Sequence, residues 1–99
     1  MSTEKIIESV RVALRLKNNV FDDMEIVPLI DAAKRDMLRV GILYQATDPL
    51  CVRAVILYCK ANFGYSSDGE KFNLAYESLR DSMSLSGMYH QRQGENNVQ

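Results

Sequence analysis

One histidine, two cysteines and the lack of any glycine-rich phosphate loop leave this 99-residue chain with few of the groups that do chemistry. The histidine, His90, stands in a polar C-terminal run far along the chain from Cys51 and Cys59, so neither thiol has the neighbouring base that nucleophilic catalysis requires. The same three residues are too few and too scattered for a zinc site. In "SSDGEKFNLAYE" only Asp68, Glu70 and Glu77 offer carboxylates, at a spacing unsuited to a calcium loop. Paired acids such as Asp22 and Asp23 fit a capping and dipole role at a helix start. No catalytic residue, metal or cofactor is expected, and the chain does not read as an enzyme.

Other absences bear on compartment and partners. Cys51 and Cys59 fall on one helix eight residues apart, which separates their Cα atoms by about 12 Å, beyond disulfide reach. Two free thiols in a reducing compartment are expected. No segment approaches the ~20 apolar residues of a membrane span, and "MSTEKIIESVRV" has no apolar signal region, so a cytoplasmic chain is expected. Neither sign of charge dominates: Lys and Arg total 12 against 13 for Asp and Glu, for a formal net charge of −1. That balance removes the simplest argument for a dedicated nucleic-acid binder.

What is present is enough for one folded domain, with 46% apolar and 25% charged residues. A domain this small buries only about 60–70% of its unfolded surface, so self-association is a natural supplement. Four helical segments predict an all-α fold, a compact four-helix domain over residues 1–87 followed by a flexible polar tail over 88–99. The first helix, about Thr3 to Leu16 with Thr3 as N-cap, puts Ile6, Val10, Ala13 and Leu14 on one stripe and Glu4, Glu8, Arg11 and Arg15 on the wet side. The second begins near Asp22 or Asp23, with Pro28 delaying the regular helix to about Val27. It buries Ile26, Leu29, Ile30, Ala33 and Met37 and stops at Gly41.

Asp48 as cap and Pro49 at the first helical position open the third helix, which runs to about Phe63. Its residues "LCVRAVILYCKANF" are apolar nearly all round, as in a central helix packed on several sides. The fourth, from Ser67 or Asp68 to Leu85, repeats Phe72, Tyr76, Leu79 and Met83 on one face and ends at Gly87. Between them "FGYSSDGE" is a corner, with Gly64 free to take positive φ and "SSDGE" supplying capping oxygens. The third helix, a short turn and the fourth helix have roughly the lengths of a helix-turn-helix, so a small DNA-binding regulator is the alternative reading. Composition opposes it, because Asp68, Glu70, Glu77 and Asp81 outnumber Lys71 and Arg80 on the would-be recognition helix.

The order and spacing of "DDMEIVPLIDAAKRDM" and "VRAVILYCKANFGYSSDGEKFNLAYESLRDSMSLSGMY" resemble the head-to-tail connector proteins of tailed phages and prophages, also described as adaptor, DNA-packaging or head-completion proteins. The resemblance covers about Glu4 to Tyr89. It implies a structural virion protein, a homo-oligomeric ring, about twelve-fold on the capsid portal, that carries stopper or tail-completion proteins and continues the DNA channel. DNA is then non-specific cargo, and the location is the head-tail interface, with the host cytoplasm during assembly. Mixed charges on the first two helices, Glu8, Arg11, Arg15, Lys34, Arg35 and Arg39, are the expected subunit contacts. Tyr89, His90 and Arg92 are the expected docking residues for the portal or a neighbouring subunit, since an aromatic gives large contact area and Arg several charged hydrogen bonds.

Overall fold

The amphipathic stripes of the sequence close on one another around the apolar third helix. A computed structural model describes residues 2–64 and 68–87, with the side chains of residues 2–4, 22 and 23 outside that description. Its helices are α1 (Ser2–Ala13), α2 (Val27–Arg39), preceded by a π-turn over Asp22–Ile26, α3 (Pro49–Asn62) and α4 (Gly69–Ser86). There is no strand among the described residues, so the fold is all-α as expected. The side chains of Asp22 and Asp23, the Ser66 and Ser67 caps, the 88–99 tail and the docking residues Tyr89, His90 and Arg92 lie outside the described residues.

The core is apolar and continuous. Ile6 and Val10 of α1, Ile26, Ile30, Ala33 and Met37 of the π-turn and α2, Cys51, Ala54, Val55, Leu57 and Cys59 of α3, and Tyr76 and Met83 of α4 are all buried in it. α3 packs most extensively on α4, then on α2 and α1. Both thiols are free and buried, and burial pushes Cys59 up to about 12.

Local chemistry explains the helix ends. Asp48 accepts a hydrogen bond from the Leu50 N–H at 2.8 Å, with Pro49 in the first turn. Pro28 sits in the first turn of α2, directly after the π-turn, and has no backbone N–H to donate there. Upstream, the Phe21 carbonyl accepts from both Glu25 at 2.9 Å and Ile26 at 3.0 Å, the second bond making the turn a π-turn. Regular helix therefore starts at Val27. Gly41, at φ 90°, ends α2 in a Schellman motif: its N–H bonds the Leu38 carbonyl and the Ile42 N–H bonds that of Met37. Ile42 is then driven into the core, anchoring the linker. Gly64 takes the expected positive φ, 66°.

Two expectations are corrected. α1 stops at Ala13 rather than Leu16, because the Arg15 N–H bonds the Val12 carbonyl and the Leu16 N–H that of Arg11. This is a second Schellman motif, with arginine at φ 62° where glycine is usual. The second concerns the start of α1 at Ser2, which puts Thr3 inside the helix rather than at its N-cap. α3 packs on α4, α2 and α1, on several sides as expected, and one side stays open. Ile56 and Val52 are only partly buried and line an open cleft with Ala46, Thr47, Pro49 and Arg53.

Three substitutions have defined outcomes for stability. Val55→Asp, at a fully buried site, abolishes the cooperative thermal transition, since an unpaired buried charge costs several kcal/mol against a total of ~5–15. Ile56→Asp leaves a folded protein by circular dichroism, because its carboxylate reaches water through the cleft. Arg15→Gly relieves the left-handed strain and stabilises by about 0.5–1 kcal/mol, which raises the melting temperature by roughly 2–8 °C.

Candidate functional site

The polar groups that α2 and α4 turn toward each other meet at Asp36. Its carboxylate accepts a hydrogen bond from the Tyr76 hydroxyl at 2.6 Å and from Arg80 at 2.8 Å, both from α4. Arg39, one turn along α2, donates from Nη2 at 2.6 Å and from Nε at 3.2 Å. Arg80 also holds Asp81 at 2.9 Å, and its guanidinium stands 5.5 Å from the Tyr76 ring centre. Tyr58 of α3 completes the cluster, its ring edge-on to that of Tyr76 at 5.2 Å. Farther along, Ser84 donates to the Val40 carbonyl at 2.8 Å, satisfying an acceptor at the end of α2.

Electrostatics follow from this geometry. Partial burial opposes the Asp36 charge, but the hydrogen bonds from Tyr76, Arg39 and Arg80 and the Arg80 charge outweigh it and hold the carboxyl at about 2. Burial and the bond to Asp36 push the Tyr76 phenol up. Arg80 is raised as well: burial disfavours its charge, and Asp36 and Asp81 more than compensate. The cluster is an acceptor saturated by donors, so it offers no poised acid or base and fixes geometry instead.

Beside the cluster lies a cleft of about 540 Å³ lined by Ala32, Arg35, Asp36, Leu38, Arg39 and Tyr58. Two of the expected subunit-contact residues, Arg35 and Arg39, thus share one exposed wall. Lys34 lies to one side, its ammonium 4.7 Å above the ring of Tyr44, whose buried hydroxyl has no hydrogen-bond partner among the described residues. On α1, Glu8 and Arg15 are exposed and Arg11 is half-buried. Arg15, just past the end of α1, forms the left-handed cap already described. Groups of His, Cys, Asp and Glu able to hold a metal are absent among the described residues.

Sequence reasoning missed Asp36, Tyr58, Tyr76 as a polar group, and Arg80. A signal existed: a tyrosine on a buried helical stripe needs a partner for its hydroxyl, and Arg80 one turn later shares that side. The acid that answers them is forty residues upstream, and pattern alone does not identify it.

Asp36 sets an acid limit on stability. Its folded value of about 2 lies below the ordinary 3.8, so its contribution is fully present above 3.8 and is lost as pH falls toward 2. The size is about 2 kcal/mol. Wild-type protein should lose that margin between pH 5 and 2 in denaturant titrations, whereas Asp36→Asn is weaker at pH 7 and lacks this pH dependence. Parallel pH profiles for the two proteins would remove the role assigned to Asp36.

Comparison with known proteins places the chain in a family. No curated protein and no solved structure matches the chain. A family model described as phage connector protein matches residues 6–90. That match spans most of the chain, including all of α2, α3 and α4 and the residues of the Asp36 cluster, and the chain belongs to the phage connector protein family.

Proposed function

We propose that the chain is a structural adaptor of a tailed phage or prophage virion, forming a homo-oligomeric ring between the capsid portal and the stopper or tail-completion proteins and continuing the DNA channel. The observation that carries the reading is the connector-family match over residues 6–90, on an all-helical body whose polar cluster is saturated rather than reactive. A ring component has to keep its shape while its surfaces engage neighbours. The Asp36 cluster supports that by tying α2 to α4 with charge-assisted bonds.

In this reading Arg35 and Arg39 meet the neighbouring subunit or the portal, and Tyr89, His90 and Arg92 dock the chain's C-terminal residues. The protein resides at the head-tail interface and assembles in the host cytoplasm, and DNA is cargo met without sequence preference. The helix-turn-helix alternative gains no support from α4. Its outward side carries Glu70, Asp81 and the exposed Leu74 and Leu85, and neither carboxylates nor leucines engage phosphates.

The test is incorporation into portal-bearing, DNA-filled capsids that lack this protein, read by co-sedimentation and by retention of DNA. Wild-type chain should bind and retain DNA. Arg35→Glu should weaken incorporation by about tenfold or more, and deletion of residues 88–99 should abolish it, each with an unchanged melting temperature. Failure of the wild-type chain to bind such capsids would overturn the adaptor reading, and full incorporation of both variants would remove the docking roles given to Arg35 and the C-terminal residues.

A further inference from the structure

Two surfaces of the chain are apolar without being covered. On α4 the residues Leu74, Ser78, Asp81 and Leu85 recur at i, i+4, i+7 and i+11, on the side opposite the buried stripe of Tyr76 and Met83. Leu74 is 60% and Leu85 87% exposed, and small Ser78 between them leaves room for a partner to approach. Asp81 is the acid of this stripe, its side chain 60% exposed, with Oδ1 held by Arg80 of its own helix and Oδ2 left for a partner's cation. The other surface is the cleft of about 380 Å³ along α3 and the preceding linker, walled by Ala46, Pro49, Val52 and Ile56. Its one charge is the exposed Arg53, which has no ion-pair partner among the described residues.

We infer that these surfaces bind each other between successive copies of the chain: the outer stripe of α4 from one copy covers the α3 cleft of the next, and Asp81 pairs with Arg53. This rests on the ring proposed above and names the faces that build it. The charges are complementary, one acid within a leucine stripe and one base within an apolar cleft. α4 packs on its own α3 through the opposite side, so the stripe does not reach the cleft of its own chain. The two faces are different, which makes the contact heterologous, and a heterologous contact closes into a ring when its rotation allows. It also gives α3 the cover that its nearly continuous apolar surface calls for.

Charge exchange tests the pairing. Arg53→Glu and Asp81→Lys are each made in the full chain, with Leu85→Glu as a variant that leaves the salt bridges untouched. Assembly is followed by native mass spectrometry and sedimentation velocity, in solution and on portal-bearing capsids, with melting temperature as the folding control. Each variant alone should need at least tenfold more protein to assemble than wild type. An equimolar mixture of Arg53→Glu and Asp81→Lys should recover assembly. In alternating order the introduced carboxylate meets the introduced ammonium at one contact, and the native Arg53 meets the native Asp81 at the next. If the wild type assembles and the single variants match it, or if the folded variants fail and their mixture does not recover, this contact is wrong while the ring stands. If the wild type assembles neither alone nor on capsids, the ring falls and the contact with it.

Discussion

The carboxylate of Asp36 ties α4 to α2, two helices that pack chiefly on α3 rather than on each other, and so fixes the register of α4 against the rest of the fold. Burial of Tyr76 and Met83 drives α4 onto the core, but an apolar stripe that repeats each turn is tolerant of sliding. The polar contacts are not. A slip of one turn moves Tyr76 and Arg80 about 5.4 Å from Asp36 and leaves an acceptor-only group without donors in a half-buried place. The Ser84 bond to the Val40 carbonyl fixes the same register near the other end of α4. Apolar burial thus supplies the drive to pack, and one ionised acid selects a single arrangement.

Much of this fold was legible because the decisive signals were local. Asp48 and Pro49 marked the start of α3, Gly41 the end of α2, and Pro28 the delay of regular helix to Val27, since each works through the backbone of its immediate neighbours. The buried stripes of α1, α2 and α4 followed from periodicity alone. Arg15 was misread for the converse reason: its side chain suggests an exposed helical position, while Leu16 packing against the core holds the backbone in a left-handed turn that arginine tolerates at a cost. The open side of α3 at Ile56 was not legible, because composition reports how apolar a helix is but not how many neighbours cover it. The Asp36 cluster escaped altogether, as its members come from three helices and only folding makes them adjacent.

Among the described residues, the buried thiols and the Asp36 cluster are held in one protonation state at neutral pH. Burial raises both thiols, so neither Cys51 nor Cys59 has thiolate character at neutral pH. Tyr76 is raised and Arg80 remains charged, which keeps the cluster in one protonation state from neutral pH down to the acid range where Asp36 titrates. The same inertness keeps the geometry that Asp36 fixes unchanged over the neutral range.

Size sets the remaining constraint. Three helices do not enclose an α3 whose residues are apolar on nearly every side: α4, α2 and α1 cover the positions from Cys51 to Cys59 that face inward and leave Val52 and Ile56 at the cleft. In an isolated domain that opening is a loss, since apolar area stays in water at roughly 25 cal/mol per Å². In an assembly the same area adds to the free energy of association, and Arg53 at its edge makes the choice of partner depend on charge. The incomplete cover of α3 and the leucines on the outer side of α4 are therefore two consequences of one limit. The described helices are fixed as one body through Asp36, and they leave part of their apolar surface uncovered.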